Sequence, residues 1–400
     1  MRNSSNELDY EKLMRHLTSL RVLAIMPTGR TGSDYLQSLV EDHPQVLTFN
    51  GHFTWYCQFY KCARTVSNGA QNPIDVINEF TGLFIYKFTS RYDIQEGKNR
   101  LGSNEKSSFT INLDQFREHA ISLIAGHELT SKNWLLAIYG AYSLCLDRDI
   151  MDTRIFLHHP HLETELLDFI QDFPETQVVF TVRDIRASLL SQVIHFRNYY
   201  PDTNDSEAHL FESLQMNLRG SYIVNDLKIK STNVRLEDLP REDTLRALCD
   251  HFGIDWNSCV LKSTWAGLEW NGDSLSAKVP QKNWSPMRTD NNWRDRLSKR
   301  DQLLLRACAG RRLVELRYET EEIGKLFKYL MFFVAVFPMS LELHYLSPRY
   351  VIKSVRLRRD GLIQLFESPF FYLRRVRLCW KFLSESIEGQ SLDLDWIKVQ

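Results

Sequence analysis

The strongest chemical signal in this 400-residue chain is the segment Pro27-Thr28-Gly29-Arg30-Thr31-Gly32-Ser33. Gly29 and Gly32 allow a ligand close to the backbone, Thr31 and Ser33 add hydroxyl donors, and Arg30 is a permanent cation able to fork onto two oxygens. An apolar run, Val22–Met26, precedes the segment, and Tyr35, Leu36, Leu39 and Val40 follow at helical spacing. The segment therefore turns from a strand into a helix N-terminus, where exposed N–H groups and the helix dipole favour an anion. It lacks the GxxxxGK[ST] spacing of a Walker A loop. Asp34 sets a carboxylate directly beyond it, which is unfavourable beside an anion unless Asp34 points away or pairs with a base.

A second anion grip is expected further along. The run Val178–Val182 reads as a strand delivering Arg183, and Ser191 follows eight residues later. That is a little over two helical turns, so a cation and a hydroxyl can share one face and hold an isolated phosphate. The competing reading makes Arg183 and Asp184 ordinary caps of the helix that follows.

These motifs need a scaffold. Strand Val22–Met26, the helix through Val40 and a strand at Val46–Phe49 form a βαβ unit, which implies a parallel sheet. Helical spacing recurs over Val76–Phe88 and Trp134–Leu146, and further strands are expected at Arg154–Leu157, Gln177–Val182 and Asn233–Leu236. The expected architecture is α/β: a three-layer α/β/α domain over residues 15–322 with a central parallel sheet, P-loop NTPase-like, followed by a mainly helical extension over 323–400. A hydrophobic fraction of 43% supplies a large core, and the net charge of −1 offers no global attraction to nucleic acid. Seven scattered cysteines without a CxxC pair fit reduced thiols in a cytoplasmic protein.

Arg30-Thr31-Gly32-Ser33 and Arg183-Asp184-Ile185-Arg186 with Ser191, in this order, resemble the sulfotransferases that use 3′-phosphoadenosine 5′-phosphosulfate (PAPS). Val234-Arg235-Leu236-Glu237-Asp238-Leu239, His251-Phe252-Gly253-Ile254 and Trp293-Arg294-Asp295-Arg296-Leu297-Ser298 are similar to further segments of that family. The likeness spans roughly residues 20–320 and is nearer to the carbohydrate-type and bacterial branch. It implies that Gly29, Arg30, Thr31, Gly32 and Ser33 grip the 5′-phosphosulfate while Arg183 and Ser191 grip the 3′-phosphate. Arg30 would also be catalytic, stabilising the leaving oxygen. In Leu157-His158-His159-Pro160-His161, His158 matches the family's catalytic histidine by its distance from Pro160, with His159, His52 and Glu237 as other candidate bases. No metal is implied, and three histidines within four residues lack partner ligands at metal spacing.

The implied activity is transfer of a sulfuryl group to a hydroxyl (or amine) of an acceptor, a saccharide or glycolipid being favoured. Two alternatives stand beside it: a kinase-like enzyme using ATP and Mg²⁺, and a non-catalytic nucleotide-binding or membrane-docked member of the fold. Trp284 and Trp293 could stack on adenine or belong to the core, and Lys278, Lys282 and Arg288 could close over a nucleotide or face solvent. The loops 90–108 and 201–208 would set acceptor choice. Residues 325–381 hold eleven Lys/Arg against three Asp/Glu, and Tyr329–Met339 is an unbroken apolar run. That pairing suits peripheral contact with an anionic membrane, against the alternative of a packed helical extension with a solvated basic face.

Overall fold

The computed structural model describes residues 8–52, 73–84, 88, 101–104, 106–199, 207–220, 229–270, 293–343, 345, 347, 352, 361–389, 391 and 394–398, with the backbone alone at 73, 197–199, 207 and 361–368. Trp284, Lys278, Lys282, Arg288 and most of the loops at 90–108 and 201–208 lie outside these residues.

The chain begins with α1 (Tyr10–Ser19), β1 (Arg21–Pro27), α2 (Ser33–Val40) and β2 (Val46–Leu47). Helices α3 (Pro73–Phe84), α4 (Leu113–Ile124) and α5 (Ser131–Cys145) lead to β3 (Ile155–His158), α6 (Glu163–Asp172) and β4 (Gln177–Val182). Next come α7 (Ile185–Tyr199), α8 (Glu207–Arg219), β5 (Ser231–Arg235) and α9 (Glu242–Phe252), then the short hairpin β6 (Thr264–Trp265) and β7 (Leu268–Glu269). The remaining helices are α10 (Trp293–Arg296), α11 (Lys299–Ala309), α12 (Arg312–Glu315), α13 (Lys325–Val334) and α14 (Gly361–Glu388).

Five strands form one parallel sheet in the order β2-β3-β1-β4-β5. The central strands β1, β3 and β4 read as largely apolar runs because helices cover both faces. The pleat sends Leu23, Ile25, Ile155, Leu157 and Val179 toward the layer built on α2 and α9. Ala24, Met26, Phe156, Val178 and Phe180 face the opposite layer, built on α1 and α3 to α6. The expected α/β fold with a central parallel sheet is the observed one.

A third apolar cluster joins α7 and α8 to α11, α13 and α14. The described helices of the basic, apolar C-terminal stretch, α13 and α14, thus pack on the α7–α8 side. Residues 394–398 run beside the sheet's β5 edge, where Asn233 donates to none of the strands but takes its N–H bond to Asp395 O at 2.8 Å and accepts from Ile397 N at 3.2 Å. Among the described residues no helix is long and apolar enough to cross a membrane.

The chain leaves β1 to form β2, returns to β3 on one side of β1, and then places β4 on the other side. Such a reversal opens a crevice at the carboxyl ends of the strands, the usual ligand position in open α/β sheets. One wall of this crevice, the C-terminal end of α8, is held by Arg312, whose buried guanidinium donates to Leu218 O and, at 3.1 Å, to Asn217 O. Arg312→Ala removes both bonds and strands two buried carbonyls. It should destabilise the protein by about 2–4 kcal/mol in urea unfolding, well beyond an exposed-arginine control.

Candidate functional site

The turn between β1 and α2 is built by hydroxyl groups and by two glycines. Thr31 Oγ1 lies 2.9 Å from Thr181 Oγ1 on β4 and accepts from Thr28 N at 3.3 Å, while Thr28 Oγ1 donates to Thr181 O at 3.2 Å. Thr31 is fully buried, so the hydroxyl expected to meet a ligand instead fastens the loop to the neighbouring strand. Gly32 caps α2 in the left-handed region (φ 87°), and no side chain bonds the helix N-terminus. The N-terminus of a helix favours an anion through its N–H groups and its dipole. A Cβ on Gly32 would sit 2.4 Å from Leu236 Cδ1.

Gly29 (φ 122°) makes the closest approach of the loop to helices α7 and α8. A Cβ there would lie 2.8 Å from Ser188 Oγ and 2.7 Å from Asn217 Oδ1. Both of these buried atoms have no hydrogen-bond partner among the described residues. Asn217 is oriented by its amide, which donates to Gln192 Oε1 at 2.9 Å and to Ser213 O at 2.8 Å. Its Oδ1 is an acceptor and suits a ligand N–H or O–H, whereas the Ser188 hydroxyl can donate to a phosphate oxygen.

Arg183, at the end of β4, reaches the same loop, with Nη1 3.5 Å from Arg30 O. Its Nε is buried and has no partner among the described residues. Burial pushes its pKa down, Glu237 opposes that shift, and the Arg30 charge adds to it. Two guanidinium groups thus share one crevice, an arrangement that an anion between them would relieve. Glu237 is held away by Tyr318, whose hydroxyl donates to Glu237 Oε2 at 2.7 Å. Ser191 is half-buried one turn beyond Ser188 on α7.

The other arginine of this segment has a structural position. Arg186 is buried between Asp184 (2.6 Å) and Glu319 (2.6 Å), with its guanidinium 4.1 Å from the centroid of the Trp293 ring. Trp293 is accordingly a core residue beneath Arg186, not an exposed platform for a base.

On the opposite side of β1, the histidines separate by the pleat of β3. His158 points with Phe156 into the aromatic layer, is 0% exposed, stacks on Phe169 at 4.2 Å and bonds Tyr139 Oη at 2.8 Å through Nδ1. Burial drives its pKa down to about 3. An acceptor hydroxyl has no surface of His158 to meet, which corrects the expectation of a base there.

The next residue faces the crevice. His159 Nδ1 is 2.8 Å from Gln37 Oε1, and the Gln37 amide donates to Thr48 Oγ1 (3.1 Å) and Phe49 O (2.8 Å). Gln37 Oε1 must therefore accept, so His159 carries its proton on Nδ1. Asp34 Oδ1 lies 3.8 Å from His159 Nδ1 and 3.6 Å from His52 Nδ1. The centroid of the His52 ring in turn lies 4.4 Å from that of His161, with the rings tilted by 31°. The carboxylate that looked misplaced in the sequence is matched to two histidines. His195 on α7 completes the group: burial lowers its pKa to about 3, helped by Arg30 and opposed by Asp34, which places all three in one electrostatic neighbourhood.

The sequence did not signal Ser188, Gln192, Asn217 or His195 as site residues. Ser188, Gln192 and His195 recur at helical spacing on α7 and could have been read as a polar stripe, but Asn217 had no local signature. Among the described residues, no group of three His, Cys, Asp or Glu side chains has metal-binding geometry.

No family model matches the chain, and no curated protein matches it. Solved structures similar to it include a sulfotransferase domain from the curacin biosynthetic pathway, at 13% identity over 69% of this chain and 90% of that one, with a TM-score of 0.39. Another is the sulfotransferase domain of a Synechococcus olefin synthase, at 13% identity over 73% and 91% of the two chains, also with a TM-score of 0.39. At such values the chemistry has to be argued from the residues of the site.

His158 and His195 are both kept neutral by the fold, with folded pKa values of about 3 against an unfolded value of about 6.5. The unfolded chain therefore binds more protons between those values, and stability falls as pH drops below 6.5. Each histidine should cost about 1.4 kcal/mol at pH 5.5 relative to neutral pH. Urea unfolding of His158→Phe should show a shallower acid limb than wild type, and an identical limb would refute the assignment.

Proposed function

We propose that this protein is a sulfotransferase that moves the sulfuryl group of PAPS to a hydroxyl (or amine) of an acceptor, in particular a saccharide or glycolipid. The observation that carries the reading is the pairing of two anion grips at adjacent strand ends. The Gly29–Ser33 turn ends β1 and Arg183 ends β4, with the Arg183 guanidinium 3.5 Å from Arg30 O. The residues fit a nucleotide with two separated phosphates: the glycine turn and uncapped α2 for the 5′ side, and Arg183 for the 3′ side. The unsatisfied Ser188 Oγ and Asn217 Oδ1 beside Gly29 offer a donor and an acceptor between them. The carbohydrate-type acceptor is supported by the form of the loop, Arg30-Thr31-Gly32-Ser33.

Sulfuryl transfer needs the reacting atoms in line, cations near the leaving phosphate, and a base for the acceptor proton. The acceptor oxygen forms the new bond to sulfur as the bond from sulfur to the bridging oxygen breaks, and the freed electron pair stays on the phosphate. In this reading Arg30 stabilises that charge. The acceptor proton passes to His52, which replaces His158 in this role. His52 is half-buried at the crevice, and Asp34 at 3.6 Å steadies its ring and the charge it gains. His159 stays with Gln37 as a positioning residue. Glu237 is committed to Tyr318 and lies on the Arg183 side, away from this base.

Thermal unfolding tests the nucleotide directly. The desulfated product, 3′-phosphoadenosine 5′-phosphate (PAP), should stabilise the protein by about 2.7 kcal/mol at 100 times its Kd, while ATP with Mg²⁺ should have little effect. The reverse pattern would favour the kinase-like alternative. With radiolabelled PAPS and a glycan acceptor panel, His52→Ala should lower turnover by about 10²- to 10⁴-fold at unchanged PAP affinity. Undiminished turnover would remove His52 as the base, and PAP binding without transfer to any acceptor would favour a non-catalytic role.

A further inference from the structure

Helix α13 carries apolar residues on two faces, one of them packed on the core through Met331 and Phe327. Its polar residue Lys328 is 2% exposed, bonded to Glu322 and, at 2.8 Å, to Ser386 O. Its second apolar face points outward: Leu326 is 86% exposed, Tyr329 60%, Leu330 55% and Phe333 67%. These positions follow i, i+3, i+4, i+7, a single helical stripe. Val336 and Phe337 continue it past the helix end, with the Phe333 and Phe337 rings 5.3 Å apart.

The stripe does not stand alone. Helix α14 lies beside α13, where Trp380 Nε1 donates to Phe332 O at 3.0 Å and Tyr372 Oη donates to Val336 O. It exposes Phe370, Leu373 and Trp380 along one face of its own. Soluble proteins scatter single exposed hydrophobic residues; stripes of them on two helices that pack together mark a surface that another apolar phase covers.

The charges around this surface name its occupant. Lys325, Arg374, Arg377 and Lys381 are exposed along the same two helices, and neither 325–337 nor 369–383 contains an acidic residue. Arg374 lies over the Phe211 and Phe370 rings (4.5 and 5.3 Å), and Lys381 has a loose pair with Glu385 at 3.7 Å. A second copy of this chain seated on the face would bring like charges together. An anionic bilayer supplies both an apolar phase for Leu326, Leu330 and Phe333 and negative headgroups for the cations, while Tyr329 and Trp380 are side chains suited to the headgroup boundary.

We propose that the α13–α14 face is a monotopic docking surface for anionic lipid membranes, with α13 lying in the plane of the interface. The proposal is independent of the transferase reading.

Flotation of the full-length protein with liposomes tests it. Wild type should float with vesicles of phosphatidylcholine and phosphatidylserine, and at least about ten-fold less with phosphatidylcholine alone. The double variant Leu326→Gln/Phe333→Gln, which alters only exposed side chains, should stay unbound while keeping the wild-type melting temperature and PAP response. Arg377→Glu should weaken binding about five-fold or more and reduce its salt sensitivity, since each cation near an anionic surface contributes on that scale. No flotation with either lipid, or flotation unaffected by these variants, would overturn the proposal. So would a dimer in light scattering that Phe333→Gln dissociates without any lipid binding, because a second copy would then be the occupant.

Discussion

The structure depends on the contact between the β1–α2 turn and the end of β4. Thr28, Thr31 and Thr181 tie the two together through hydroxyl bonds that are wholly buried. With those bonds made, the loop cannot drift from β4, and Arg183, two residues beyond Thr181, must arrive beside Arg30. The glycines then complete the geometry. Gly29 brings the backbone against Ser188 and Asn217, and Gly32 starts α2 without a side chain to occupy its N–H groups. The closeness of the β1–α2 turn to Arg183 thus follows from parallel pairing of two strands and from two missing β-carbons.

Negative charge in the crevice is kept from opposing an anion by local pairing. Asp34 lies against His52 and His159, Glu237 accepts from Tyr318, and Asp184 and Glu319 are consumed by Arg186. Arg30 and Arg183 are neighbours at the same strand ends.

The sheet was legible in the sequence because it is encoded locally, in apolar runs bounded by Pro and Gly, and the positions of Arg30 and Arg183 just beyond strand ends followed from those runs. Side-chain direction was harder to read. His158 and His159 are neighbours in sequence, yet the last residue of β3 follows the pleat into the Phe156 layer, while the next one reaches the crevice. One residue of register therefore separates a core histidine from a site histidine. Asn217 and His195 enter the site through helix packing far along the chain, for which a single sequence holds no signal. In the C-terminal region, composition gave the basic and apolar character of 325–381. It did not show that Lys328 and Arg375 are buried in ion pairs while Leu326 and Phe333 are exposed.

The pairing of the two grips on one nucleotide is measured most directly by titration calorimetry of PAP and adenosine 5′-monophosphate, which differ by the 3′-phosphate. Wild type should bind PAP at least about 100-fold more tightly, because a charge-assisted hydrogen bond to a buried phosphate is worth about 1.5–3 kcal/mol and Arg183 can make two. In Arg183→Ala that preference should collapse to within about ten-fold, with adenosine 5′-monophosphate affinity little changed. A preference of equal size in both proteins would mean that Arg183 does not meet the 3′-phosphate, and the account of the site would fail.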